Sequence, residues 1–150
     1  AQAPPPAVAG SVDRIVLEKG AHRMSLYAGE RLVAAYDVSL GAGGLAPKAR
    51  EGDRLTPEGD YRITGRNPNS RYHLALRIGY PTPAQAAAAK AAGVPPGGDI
   101  MIHGLPNGRG ALAGLYKGRD WTDGCIAVTD PEIEEIWKLV RDGARVRITP

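Results

Sequence analysis

Cysteine occurs once in the 150 residues, at Cys125. That count excludes an internal disulfide and leaves either a partner for another chain or a reactive thiol. With three histidines at no ligand spacing, it also makes a poor zinc set, so no metal is expected. No apolar run approaches the ~18 residues of a membrane-spanning helix, so no membrane span is expected. Basic residues never run five together and lack the aromatic interleaving of a single-strand nucleic-acid platform, which argues against a nucleic-acid partner. Phosphate-loop and dinucleotide fingerprints are absent, and no cofactor is expected.

The beginning of the chain, Ala1-Gln2-Ala3, lacks a starting Met, a basic n-region and an apolar h-region. A mature terminus left by signal-peptide removal and an arbitrary boundary both fit this pattern. Pro4 to Pro6 favour extended polyproline II, so residues 1–11 are expected to form a flexible Pro-rich segment before one domain over 12–150. The formal net charge of +3 suits weak attraction to an anionic polymer such as a cell wall, although it also describes an ordinary solvated surface.

What is present is a succession of short apolar runs separated by turn formers, with 20 Gly and 13 Pro. This favours a mainly β domain with a few short helices. Strands are expected at 14–18, 24–27, 32–40, 60–64, 72–78, 99–103 and 144–148. Asn67-Pro68-Asn69-Ser70 reads as a turn. Thr82-Pro83-Ala84-Gln85 opens a helix with a capping box, stopped by Gly93. Ile133, Ile136, Trp137 and Val140 recur at helical spacing, capped by Thr129 or Asp130 and ended by Gly143.

The stretch from Ile100 to Val128 carries the chemistry. His103 ends one apolar run and Cys125 precedes another, 22 positions on. A histidine beside a cysteine can take its proton and make the nucleophilic thiolate. The Gly104 carbonyl can orient the ring, and the amides of Gly124 and Cys125 can face an oxyanion. Spacing alone leaves open a buried cysteine that packs as a small hydrophobe. Tyr80 can donate to an oxyanion or a substrate, and Trp121 can either line a substrate groove or pack in the core. Arg109, Lys117 and Arg119 lie in the Gly-rich loop 105–120, which reads as a lid. His22 and His73 carry no partner signal and read as exposed.

Ile102-His103-Gly104, followed by Gly124-Cys125-Ile126, resembles the bacterial L,D-transpeptidase catalytic domain, the YkuD domain. Asp37 to Gly41, Thr56-Pro57-Glu58-Gly59-Asp60-Tyr61 and Asn67 to Ser70 extend the resemblance over about Val12 to Ile148. It implies a β-sandwich or closed barrel with short peripheral helices. It also implies Cys125 as the acylated nucleophile, His103 as base, Gly104 as the carbonyl holding the base, and Gly124 beside the oxyanion donors. Thr122 falls at the family's Ser/Thr position. Two residues depart from the pattern: Asp123 stands where a second His is usual, and Ala127 where Arg is frequent. Trp121-Thr122-Asp123-Gly124-Cys125 thus looks like a divergent branch, with Thr122 and Asp123 lining the substrate.

The resemblance further implies action on peptidoglycan stem peptides, carbapenem-type β-lactams as inhibitors, a periplasmic or cell-envelope location, and a part in cell-wall organisation and cell shape. Hydrolysis of cross-links or lipoprotein links by an L,D-amidase is the neighbouring expectation. A non-catalytic wall-binding module is the one from another class.

Overall fold

The computed structural model describes residues 8–150; the Pro-rich run expected at the N-terminus lies, up to residue 7, outside them. Eight strands make one sheet in the order β3-β2-β1-β8-β4-β5-β6-β7. β1 (Val12–Glu18), β2 (Arg23–Ala28) and β3 (Arg31–Asp37) form an antiparallel meander, and β8 (Val140–Thr149) lies parallel to β1. The pivot is β4 (Gly59–Ser70). Its first residues pair with β8, and the rest with β5 (His73–Ile78). β6 (Met101–His103) is antiparallel to β5 and parallel to the two-residue β7 (Ile126–Ala127).

The sheet curls as a half-barrel, and the chain beyond β3 brings its two ends together. Ser39 and Ala127 exchange both backbone hydrogen bonds at 2.9 Å, and Thr122 bonds to the backbone of Leu40 and Ala42. Alternate residues Ile15 and Leu17, Met24 and Leu26, and Val146 and Ile148 fill the interior, as the two-residue period of a strand requires. The domain is therefore mainly β, as expected.

Three helices sit outside the sheet. α1 (Pro83–Ala91) carries the complete Thr82–Gln85 capping box. α2 (Ala113–Tyr116) follows a 3-10 turn at Gly110–Leu112, so the loop read as a Gly-rich lid contains helical structure. α3 (Asp130–Leu139) is capped by Thr129 and buries Ile133, Ile136 and Leu139.

Strand ends shift by up to four residues from the sequence reading, as at β3, which stops at Asp37, and β6, which starts at Met101; two larger differences have a tertiary cause. α3 ends at Leu139 rather than at Gly143, because Val140 is already extended and pairs with Val12 in the sheet. Arg66 takes the carbonyls of Trp137 and Val140 and lies over the Trp137 ring, which caps the helix end by tertiary contact. Asn67 to Ser70 is not a turn but the irregular end of β4, with the register shifting between Asn67 and Ser70.

A fully buried lysine anchors the loop that reaches over the sheet. Lys19 Nζ donates to the carbonyls of Thr56 (2.7 Å) and Ala46 (3.1 Å) and to Glu58 (3.1 Å). All three of its protons are satisfied, which a buried ammonium needs.

Candidate active site

Parallel pairing of β6 and β7 brings the two residues of interest to one cavity. Ile102 sits opposite Ile126 and His103 opposite Ala127, so Cys125 enters just ahead of β7 beside β6. The cavity measures about 660 Å³, and both His103 and Cys125 line it. Trp121, Thr122 and Asp123 line it too.

His103 is only 2% exposed, and its Nδ1 lies 2.7 Å from the Gly104 carbonyl. A carbonyl can only accept, so Nδ1 carries the proton and Nε2 keeps its lone pair. Gly104 is fixed in turn. Its N–H donates to the Tyr72 carbonyl at 2.9 Å, and a Cβ there would lie 2.7 Å from Asp130 Oδ1. The Tyr72 ring stacks on the imidazole at 4.2 Å between centroids, and Trp121 lies 5.8 Å away on a tilt. Burial holds the imidazole pKa down at about 4, against a smaller opposing effect of the Gly104 hydrogen bond.

Cys125 follows a turn built by Thr122. The Thr122 hydroxyl accepts from the Gly124 N–H (3.1 Å) and donates to the Cys125 carbonyl (2.7 Å). Gly124 has φ +128°, and a Cβ on it would sit 2.6 Å from the Leu55 carbonyl oxygen, so both conformation and space demand glycine. The thiol donates to the Asp99 carbonyl at 3.2 Å. Burial pushes its pKa up to about 11; the Met101 amide and Lys48 oppose this, whereas Asp123 and Asp99 add to it. At neutral pH the site therefore holds a neutral thiol and a neutral imidazole.

Several sequence expectations change here. The Gly124 N–H is committed to Thr122, so of the two amides expected to face an oxyanion only that of Cys125 is uncommitted among the described residues. Tyr80 lies in the core against Tyr61, and its hydroxyl donates to the Pro96 carbonyl at 2.8 Å, so it serves the scaffold. His22 and His73 both have carboxylate partners, Asp120 at 2.9 Å and Glu134 at 2.8 Å. Asp120 also accepts from the Leu40 N–H, which steadies the approach to Trp121. Arg109 donates to the Tyr116 hydroxyl, and Lys117 lines a separate cavity of about 520 Å³ on the far side of Trp121.

Sequence reasoning passed over Tyr72 and Arg54. Tyr72 precedes the strand that pairs with β6, and only the register Ala75 opposite His103 reveals its place over the ring. Arg54 arrives from a distant loop and pairs with Asp123 at 3.1 Å. The Trp121 indole nitrogen is buried without a hydrogen-bond partner among the described residues.

Comparison with known proteins agrees with this architecture. The sequence model of the YkuD family, the L,D-transpeptidase catalytic domain, matches residues 12–148. YafK, a provisionally named L,D-transpeptidase of Escherichia coli (strain K12), is 34% identical over 138 residues, covering 87% of this chain and 48% of that protein. The chain thus spans about half the length of the curated relative it matches. Pgp2, the helical cell shape determining protein of Campylobacter jejuni, superimposes with a TM-score of 0.68 at 24% identity, covering 95% of this chain and 50% of that one. The LD transpeptidase LdtMt1, solved in complex with imipenem, shares the fold with a TM-score of 0.59 at 14% identity, covering 93% and 59%.

Proposed function

The chain belongs to the L,D-transpeptidase catalytic domain family, and from that premise we propose that it acts through a Cys125 acyl-enzyme on peptidoglycan stem peptides. The observation that carries the reading is the shared cavity, with an imidazole whose Nδ1 is locked and whose Nε2 is left as the base.

Chemistry starts from neutral partners. The S–H turns from the Asp99 carbonyl towards His103, and Nε2 takes the proton as Sγ attacks the amide carbonyl carbon on the L-centre side of an L–D bond. The tetrahedral oxyanion rests on the Cys125 N–H. Nε2 then returns the proton to the leaving amine, the C–N bond breaks and a thioester remains. An incoming amine gives transfer and water gives hydrolysis, with the final proton passing through Nε2 back to sulfur. The low imidazole pKa keeps Nε2 unprotonated at neutral pH, and because the thiol pKa lies far above it the proton moves only as Sγ attacks.

The reaction places the protein at the cell wall, in the periplasm or envelope, and makes carbapenems acylating inhibitors, in keeping with the imipenem complex of LdtMt1. Intact mass after exposure to a carbapenem tests the reading. The native protein should gain one adduct and Cys125→Ala none; an adduct on the variant would remove Cys125 from the mechanism. Muropeptide analysis of treated sacculi separates transfer, which creates links, from hydrolysis, which only removes them.

A further inference from the structure

We propose that Arg54 is a carboxylate subsite at the mouth of the Cys125 cavity and selects peptides that carry a free carboxylate beside the scissile bond. The proposal rests on the acyl-enzyme reading for its location, but its evidence is separate.

The backbone at Arg54 is unusual. Its φ is +57°, a region that an arginine enters only at a cost and that glycine or asparagine would occupy more cheaply. Surroundings hold it there. Gly43 N–H donates to the Arg54 carbonyl at 2.8 Å, and a Cβ on Gly41 would lie 2.3 Å from that oxygen. Asp53, one residue earlier, gathers the loop around its carboxylate, accepting from the amides of Ala49, Arg50 and Leu55 and from Lys48. These bonds outweigh burial and hold the Asp53 pKa down at about 2. A rigid support therefore presents Arg54 at the cavity.

Packing does not account for an arginine at this position, since the side chain is 53% exposed. Nor does its ion pair, because Asp123 is 88% exposed and such pairs contribute little to stability. The pair is single-pronged: Asp123 Oδ1 takes the Nε–H. Both terminal nitrogens of the guanidinium make no hydrogen bond among the described residues, and two parallel N–H groups are what a carboxylate accepts. The other acidic groups at this cavity are Glu51 and Asp99, of which Asp99 is already paired with Arg77 at 2.8 Å. Lys48 also lines the cavity, but its ammonium is committed to Asp53 at 2.8 Å and to the Arg50 carbonyl at 3.1 Å, which leaves the Arg54 guanidinium for a ligand. Asp123 is then a positioning residue that fixes the plane of the fork.

The test uses the unreactive Cys125→Ala protein and calorimetric titration with a tetrapeptide ending in an L–D pair, once with a free terminal carboxylate and once with a terminal amide. The free acid should bind about tenfold or more tighter than the amide. Adding Arg54→Gln should abolish that preference, and Arg54→Lys should restore part of it, as a point charge without the fork. Arg147→Gln, which removes an equal charge at an exposed pair with Asp60, controls for general electrostatics and should leave the preference intact. An unchanged preference in Arg54→Gln, an equal loss in Arg147→Gln, or no binding of either peptide would each overturn the proposal. None of these outcomes bears on whether a carbapenem acylates Cys125, so the two readings fail separately.

Discussion

One hydroxyl holds the turn that delivers the sulfur, and Thr122→Val removes it while keeping the shape of the side chain. Thr122 is 4% exposed, so valine fills the same space and leaves no cavity. What it leaves is a buried Gly124 N–H with no acceptor and a partly buried Cys125 carbonyl with no donor. An orphaned buried donor costs about 1–3 kcal/mol, and the carbonyl, which water can partly reach, adds less. The expected loss is therefore about 2–4 kcal/mol, a large part of the 5–15 kcal/mol typical of a domain. In urea, with a slope of roughly 2 kcal/mol per molar, the midpoint should fall by about 1–2 M. Carbapenem acylation, followed by intact mass, should slow as well, since the Cys125 carbonyl is no longer tethered. Thr122→Ser keeps the hydroxyl and should recover most of both. A valine variant with the native midpoint and the native acylation rate would refute the claim that this hydroxyl organises the turn at Cys125.

Acidification gives a second test. His103 titrates at about 4 in the folded chain and near 6.5 unfolded, so below about pH 6.5 the unfolded state binds the extra proton. Its contribution to stability is complete above that pH, erodes as pH falls, and has lost about 3 kcal/mol by pH 4, where the folded state protonates too. Urea midpoints of the native protein and His103→Asn should converge on acidification; parallel curves would show that the ring is not buried neutral. For Tyr80→Phe the expectation is a stability loss of about 1 kcal/mol with acylation unchanged. Slower acylation at native stability would return Tyr80 to the site.

The sequence revealed the strands best where burial is one-sided. Alternation in β1, β2 and β8 follows from a sheet with one face on the core, and the Thr82 and Thr129 caps are local chemistry that needs no partner. The end of α3 was hidden because Arg66, from β4, decides it. Within the site, Cys125 and His103 stand out by residue type and by the glycines beside them. Arg54 and Tyr72 do not, since each acquires its place only through pairing with distant chain. The commitment of the Gly124 amide to Thr122 was equally illegible, because it depends on which way a hydroxyl turns two residues earlier.

Ser39 and Ala127 join the two ends of the sheet, and that seam has a bearing on how the protein comes into being. The meander of β1 to β3 can form from neighbouring chain as soon as it leaves the ribosome. β6 pairs with its neighbour β5, but the two-residue β7 also closes on Ser39, a residue made far earlier in synthesis, and such distant closure is slow. The cavity around Cys125, walled in part by residues 48–54, is thus complete only when late chain meets early chain, so a half-made chain holds the cysteine without its surroundings.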